Sequence, residues 1–233
     1  MESLRVNINK TMSTNLQVEK SFFSCLSEHQ LSELAKFTKD ITLNKGDHIY
    51  KKGDSDKFIY FIKKGSVKQY SISNLGKEVI KNILYPENII GEEIFGKNDV
   101  RTDFAKVIDP EVVLTKIHVD DLKSLVQRFW EVNEAFIGLL TKKLNRTQQR
   151  VAGLIVDDAR KRIIDFLKYN AIHKGRKVGM ELLIKHSMTQ QDIANYTGTS
   201  RQTVTSILND LRKTNKIYFK RNSILIRDIS SLA

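Results

Sequence analysis

Short apolar and β-branched runs alternate with turn residues through the first half of the chain. Runs of strand length occupy residues 48–51, 58–62, 67–72, 79–84 and 112–117. Turns at Gly53, Gly65 and Pro86 separate several of them. This spacing predicts an antiparallel β roll or barrel over about residues 41–118. Because the intervals between glycines vary and no side-chain pattern recurs, the sequence does not indicate a repeat protein.

A helical period replaces this alternation between residues 131 and 156. Positions spaced by three and four residues form a heptad seam on a helix expected over these residues. Packing within its own domain would also bury such a stripe. However, the basic and amide residues that flank it leave only a narrow apolar edge, which predicts a two-stranded parallel coiled coil. The seam consists of Ile137, Leu140, Leu144, Thr147, Val151 and Leu154.

Two short helices around a glycine are predicted for residues 189–214. Ala194 is small enough for the helices to approach, and Gly198 stands where the turn needs a left-handed backbone. Val204 and Ile207 provide the apolar face of the second helix. The pattern is typical of a helix-turn-helix, although an ordinary antiparallel helix pair would bury the same stripe.

Start signals mark both helices. Thr189 and Asp192 have the spacing of a capping box, and Thr199 and Gln202 repeat it. Polar side chains on the solvated face near the start of the second helix can reach base edges in a major groove. These candidate base-reading residues are Arg201, Gln202, Thr205 and Ser206.

Charge is distributed unevenly and supports this interpretation. The 233 residues carry a formal net charge of +12, yet residues 159–233 hold 15 basic residues against 5 acidic ones. A basic C-terminal domain with a helix-turn-helix favours double-stranded DNA as the partner. Residues 216–219 and 224–227 are predicted to form a two-stranded wing. The candidate phosphate contacts are Thr189, Ser200, Lys213, Lys216, Lys220 and Arg221.

Cysteine content and the N-terminal sequence argue against several other classes of protein. Cys25 is the only cysteine, so neither a disulfide framework nor a four-thiolate iron-sulfur cluster within one chain is expected. The first 20 residues contain charges and no continuous apolar run, and we interpret them as a poorly ordered extension. A cytoplasmic location without membrane association is expected. Lone histidines such as His48 and His118 do not indicate a haem site.

The order of these parts resembles the Crp/Fnr family of bacterial transcription regulators. The resemblance covers about residues 20–230. Its most specific pieces are the pairs Gly46-Asp47 and Gly53-Asp54, residues 60–67, the pair Gly91-Glu92, and residues 199–204.

The resemblance implies an α+β fold with an N-terminal antiparallel β jelly roll, a long dimerisation helix and a C-terminal winged helix-turn-helix. Expected boundaries are an extension at 1–20, a cyclic-nucleotide-binding-like domain at 21–130, the dimerisation helix at 131–158 and the DNA-binding domain at 159–233. It also implies a homodimer, a palindromic operator, RNA polymerase as a further partner and no catalytic residues. No P-loop or common hydrolase motif contradicts this.

Residues matching the family's cyclic AMP pocket define a candidate effector site. It comprises Gly91, Glu92, Arg101, Thr102 and Thr147. Glu93 and Asp103 depart from the family pattern, and Asp103 would bring a carboxylate close to a bound phosphate. A cyclic nucleotide, another small effector and a pocket without ligand therefore remain open. In the last case Glu92 and Arg101 would pair with each other, and Thr147 would only set the register of the seam.

On the recognition helix, the family places Arg, Glu and Arg at positions that read a TGTGA-type half-site. Here Arg201 matches the first, whereas Gln202 and Ser206 replace the other two. Since glutamine prefers adenine and serine discriminates little, we expect a palindrome that differs from the family's half-site. The alternative function is a cyclic-nucleotide-sensing regulatory protein whose main output is not DNA binding.

Overall fold

The computed structural model describes residues 22–96 and 100–232. The predicted extension at residues 1–20 lies outside the described residues. Two four-stranded antiparallel sheets form the N-terminal β roll, with strand orders β1-β8-β3-β6 and β2-β7-β4-β5. The strands are β1 (Thr38–Asn44), β2 (His48–Tyr50), β3 (Phe58–Lys64), β4 (Val67–Ile72), β5 (Glu78–Leu84), β6 (Ile89–Ile90), β7 (Phe104–Val107) and β8 (Glu111–His118).

The core of the roll lies between these sheets. Val67, Ile90, Val112 and Leu114 are fully or almost fully buried there. The turn at Gly65 closes against β8, where an added Cβ would stand 2.6 Å from the carbonyl oxygen of Glu111. This contact and a φ of +83° explain why glycine occupies that turn.

Three helices flank the roll: α1 (Glu28–Phe37), α2 (Val119–Arg128) and α3 (Trp130–Val156). Ser27 caps α1 in a capping box with Gln30. The first half of α3 buries Val132, Phe136 and Leu139 against the roll and α2. Its second half extends to the C-terminal domain.

The C-terminal domain consists of three helices and a four-stranded sheet of order β9-β10-β12-β11. Arg162 of α4 donates hydrogen bonds to the carbonyl oxygens of Thr197 and Gly198, which ties α4 to the turn of the helix-turn-helix. The elements are α4 (Ala159–Lys174), β9 (Gly175–Val178), β10 (Glu181–Lys185), α5 (Gln190–Thr197), α6 (Arg201–Lys213), β11 (Ile217–Lys220) and β12 (Ser223–Ile226).

The helix-turn-helix forms as predicted, with one correction at its second helix. Thr189 and Asp192 make both bonds of the predicted capping box, and Gly198 ends α5 with a φ of +64°. The second predicted box is wrong because Ser200, not Thr199, caps α6. The amide of Thr199 donates to the carbonyl oxygen of Ala194, so Thr199 belongs to the closing turn of α5.

The C-terminal domain packs directly on the β roll, with α5 against β5. Ile83 and Tyr85 of the roll share one buried cluster with Ile163 and Ile193 of the C-terminal domain. The hydroxyl of Tyr85 also bonds to Asn170 of α4. The two domains therefore share a core instead of being joined by α3 alone.

Candidate nucleic-acid interface and effector pocket

The start of α6 presents a polar, solvent-facing surface. Val204, Leu208 and Leu211 bury the opposite face of the helix in the domain core. This burial turns Arg201 and Gln202 outward, and both are exposed. One open surface along this face is formed by Arg201, Gln202, Thr205, Ser206 and Asn209.

All four candidate base-reading residues therefore lie on one surface. Asn209, which the sequence analysis missed, lies on the same face one helical turn beyond Thr205. Asn209 follows Gln202 by seven residues and Arg201 by eight, and this helical spacing could have predicted that it shares their face. The hydroxyl of Thr205 is less available for an outside contact than the other side chains, because its Oγ1 donates to Oε1 of Gln190 in α5 at 2.6 Å.

The candidate phosphate contacts lie at the starts of α5 and α6, near the end of α6 and in the β11–β12 hairpin. Thr189 and Ser200 are exposed caps at the starts of α5 and α6. Lys220 and Arg221 form the exposed tip of the hairpin between β11 and β12. Lys213 is exposed at the end of α6, and Lys216 is half-buried just before β11.

Most of the seam of α3 is open to solvent in the single chain, whereas Leu140 is partly buried against the hydrophobic core that contains Phe136 and Leu139. Ile137, Leu144 and Val151 are 50–55% exposed and Leu154 is 41% exposed. Thr147 is also exposed, and its hydroxyl donates to the carbonyl oxygen of Lys143 at 2.8 Å. Exposed apolar side chains at heptad spacing form a surface that a second helix can cover.

The opposite face of α3 carries two arginines that join the β roll to α5. Arg146 donates to the carbonyl oxygen of Ile83 at 3.0 Å and to the hydroxyl of Tyr196 at 3.2 Å. Arg150 donates to the carbonyl oxygens of Ile80 at 2.8 Å and Tyr196 at 2.7 Å. One helix thus contacts the roll and the DNA-reading domain at the same positions.

The candidate effector site brings Gly91, Glu92 and Arg101 together. Gly91 has a φ of +85° and precedes a short 3-10 helix (Glu92–Phe95). A Cβ on Gly91 would lie 2.7 Å from Nη1 of Arg101, so the guanidinium packs against the bare backbone. Thr102 is exposed while Arg101 and Asp103 are buried, so its side chain does not join this group.

Arg101 pairs with Asp56, not with Glu92. Its Nε lies 2.6 Å from Oδ1 of Asp56, and its Nη2 lies 3.0 Å from Oδ2. Glu92 instead pairs with Lys143 on α3. The expectation that Glu92 and Arg101 would pair in an unliganded pocket is therefore wrong, because each has a partner of its own.

Two further carboxylates distinguish this pocket. Asp103 is buried and pairs with Lys81 at 2.6 Å, so its charge is balanced by a neighbouring strand. Burial raises the pKa of Glu93, and the adjacent Glu92 raises it further, whereas Arg101 opposes the shift. The pocket therefore already disfavours additional negative charge.

The described residues contain neither a metal site nor a membrane-spanning helix. Residues 22–96 and 100–232 contain no cluster of three or more side chains suited to holding a metal ion. Across the same residues, the helices are too short or too polar to cross a membrane.

Comparison with known proteins identifies both halves of this architecture. Residues 40–129 match the cyclic nucleotide-binding domain, and residues 149–233 match the Crp-like helix-turn-helix domain. The chain belongs to the Crp/Fnr family. It is accordingly a transcriptional regulator of the Crp/Fnr type that combines these two domains.

Relatives span nearly the whole chain. A CRP-like cAMP-activated global transcriptional regulator of Mycobacterium tuberculosis is 28% identical over 211 residues, covering 91% of this chain and 94% of the relative. The fumarate and nitrate reduction regulatory protein of Yersinia pestis is 26% identical over 210 residues, covering 89% and 83%.

Solved structures agree with the fold. FixK2 from Bradyrhizobium japonicum superposes with a TM-score of 0.74 at 18% identity, over 84% of this chain and 95% of that one. The c-di-GMP responsive regulator CLP of Xanthomonas campestris gives the same TM-score at 16% identity, over 87% and 100%. The predicted order of β roll, long helix and helix-turn-helix is thus confirmed.

Proposed function

We propose that this Crp/Fnr regulator binds a palindromic operator as a homodimer and reads it with the first half of α6. The observation that carries the proposal is the open polar surface formed along one face of α6 by Arg201, Gln202, Thr205, Ser206 and Asn209. Side chains in this position on the second helix of a helix-turn-helix face base edges in the major groove.

Base reading is divided among these residues by their chemistry. Arg201 donates two parallel hydrogen bonds to guanine, and Gln202 and Asn209 suit adenine. Ser206 adds little discrimination, and Thr205 acts mainly by fixing α6 to Gln190. The half-site therefore combines a guanine contact with adenine contacts and differs from a site read by two arginines.

Phosphate contacts set the register of the helix without selecting sequence. Lys220 and Arg221 reach the backbone from the wing, and Lys213 and Lys216 reach it from beside the end of α6. Thr189 and Ser200 add hydroxyls and helix N-termini on the near side. The excess of basic residues in this domain supports the assignment.

The exposed seam of α3 supports the dimer. Two copies of α3 covering Ile137, Leu144, Val151 and Leu154 would place the reading helices about a two-fold axis. Since such a dimer presents identical heads in opposite directions, its operator is a palindrome.

The β roll is the proposed control element. Glu92 and Lys143 connect the candidate effector site to α3, and Arg146 and Arg150 connect α3 to α5. A small molecule in the roll would act along this path. The matched domain and the mycobacterial relative are named for cyclic nucleotides, so cyclic AMP is the ligand against which this pocket is to be tested. We further propose action without catalysis, in the cytoplasm, with RNA polymerase as the partner on DNA.

Selection of bound sequences from random DNA, followed by anisotropy titrations with two variants, tests the proposal. Arg201→Ala should lose about 1–3 kcal/mol on the selected operator and relax preference at one base pair. Lys220→Ala should weaken binding to all DNA sequences alike, and it should reduce the slope of log affinity against log salt concentration by about 1. Lys52→Ala, an exposed lysine of the β roll, is the control and should change neither. Equal losses on operator and random DNA for Arg201→Ala would contradict the assignment.

A further inference from the structure

Every hydrogen-bond donor of Arg101 already has an acceptor in the protein. A guanidinium has five N–H groups. Nε donates to Asp56, Nη1 to the carbonyl oxygen of Gly91 and to Glu93, and Nη2 to Asp56 and to the carbonyl oxygen of Phe58. The side chain is fully buried, so no donor remains for a ligand in this arrangement.

Asp56 provides the geometry that an anionic ligand would provide. Its two oxygens accept from Nε and Nη2 of Arg101 side by side, as phosphate and carboxylate oxygens do in bidentate pairs. The hydroxyl of Tyr60 donates to the same carboxylate at 2.8 Å. The ring of Tyr50 lies against the other side of the guanidinium, 4.2 Å from its carbon.

The backbone holds this pair in place. The amide of Arg101 donates to the carbonyl oxygen of Asp54 at 2.8 Å, and the amide of Gly53 donates to the carbonyl oxygen of Arg101 at 2.9 Å. These bonds fix the segment at Arg101 to the turn that leads into Asp56. The contact is therefore set by two ordered segments of the roll and not by side chains alone.

Glu92, the second ligand-type group, is occupied at its Oε1 only, and its Oε2 is buried without a hydrogen-bond partner. Lys143 of α3 pairs with it, and both side chains are 17% exposed. An ammonium group donates hydrogen bonds to a carboxylate as sugar hydroxyls would. Asp56 thus supplies the anion that a cyclic nucleotide would bring, and Lys143 supplies one hydrogen-bond donor to Glu92.

We infer that Asp56 is a specificity determinant that fills the anion subsite of the β roll and excludes cyclic nucleotides, so that operator binding needs none. The inference rests on the proposed function for its operator readout. A nucleotide phosphate would have to displace a carboxylate from a buried arginine and leave Asp56 beside a new negative charge. Lys143 meanwhile holds α3 against the roll without a ligand.

Three proteins test the inference: the wild type, Asp56→Asn combined with Glu93→Gln, and Asp54→Asn as the control. The Asp54 carboxylate accepts from the amide of Lys51 and does not touch the guanidinium, so the control removes a nearby charge only. Each protein is titrated with cyclic AMP by calorimetry and then with selected operator DNA, with and without cyclic AMP.

The wild type and the control should give no binding heat up to about 1 mM cyclic AMP, and their operator affinity should change less than about twofold. The double variant should bind cyclic AMP at least about tenfold more tightly than the wild type. A wild-type Kd below about 100 µM, or a folded double variant that gains no binding, would overturn the inference.

If the double variant does not fold, a second measurement that does not need it still tests the inference. One arginine Nε–H should be strongly protected from hydrogen exchange in the unliganded full chain, and Arg101→Lys should remove that signal. Absence of a protected signal overturns the inference. Failure of the wild type to select any DNA would reject the proposed function instead, while the cyclic AMP titration would still decide whether Asp56 excludes the nucleotide.

Discussion

Replacing Asp109 by Asn should loosen the DNA-reading domain from the β roll. Asp109 lies between β7 and β8, and its Oδ2 accepts from Nζ of Lys174 at 2.6 Å and from Oγ of Ser66 at 2.9 Å. Lys174 is the last residue of α4. The carboxylate therefore ties the end of α4 to the roll.

The expected cost follows from the burial of this pair. The side chains of Lys174 and Asp109 are only 14% and 13% exposed. After the substitution the ammonium would keep the hydroxyl of Ser66 at 3.1 Å but lose its charged partner. A fully buried orphaned charge costs about 3–5 kcal/mol, so this partly hydrated one should cost about 2 kcal/mol.

Urea unfolding followed by tryptophan fluorescence and circular dichroism measures the loss. Glu111→Gln is the matched control because Glu111 pairs with Lys64 at the same 2.6 Å, but the two side chains are 49% and 67% exposed. The control should lose less than about 0.5 kcal/mol. Exchanging the charges, with Asp109→Lys and Lys174→Asp together, should recover part of the loss of each single variant.

The reasoning would be refuted if Asp109→Asn and Glu111→Gln were equally stable. It would also be refuted if the exchanged pair lost the sum of its single variants, since the interaction energy would then be zero.

Three other predictions concern the DNA-reading domain and the seam. Burial lowers the pKa of His186, so the unfolded chain binds a proton at this residue more readily than the folded chain does. The stability that the neutral histidine contributes should be fully present above pH 6.5 and should decline as pH falls toward the folded pKa. His186→Phe should flatten this decline in urea titrations. Gly198→Ala should destabilise the protein by about 1–2 kcal/mol in urea unfolding, because φ is +64° and the new Cβ would stand 3.0 Å from Cδ2 of Leu154. Leu144→Glu should weaken dimerisation at least about 100-fold in sedimentation, because it places like charges together in the seam.

Each of these has a result that would contradict it. An unchanged pH profile in His186→Phe would show that another group titrates. Stability equal to wild type for Gly198→Ala would show that the turn adapts without strain. Gln148→Glu adds a charge at an exposed position of α3 outside the seam and should leave dimerisation unchanged; equal effects of the two glutamates would argue against the seam.

Local signals in the sequence predicted the DNA-reading helices well. Hydroxyl and carboxylate caps act over three residues, and the left-handed position requires glycine, so Thr189 and Gly198 could be placed directly. The cap of α6 was misplaced by one residue because Thr199 and Ser200 are both hydroxyl residues. Two bonds distinguish them: the amide of Thr203 donates to the hydroxyl of Ser200, and the amide of Thr199 donates to α5.

The β roll was predicted less completely. Strand β4 falls at the expected residues 67–72 and β5 begins one residue early, because clear turn residues bound both. Strands β1, β6 and β7 were missed, as were helices α1 and α2. β1 has mostly polar residues along one exposed edge of its sheet, so its pairing with β8 provides the order that its sequence pattern does not signal.

The pocket could be predicted only in part, because its decisive contacts are long-range. Glu92 and Arg101 were found through short motifs. Their partners Asp56 and Lys143 lie 45 and 51 residues away along the chain, and no spacing rule connects them. Packing of the turn at Gly53 and of α3 on the roll determines which charges meet.

The two faces of α3 also restrict how this protein can change over evolution. Substitutions on the seam or beside the arginines alter one contact at a time and can be compensated locally. An inserted or deleted residue between Leu144 and Arg150 would instead turn everything beyond it by about 100° around the helix axis. Arg150 would then leave the roll and α5, and the later seam positions would leave the partner helix of the proposed dimer. We therefore expect relatives to vary in residue type along this part of the helix but to keep its length.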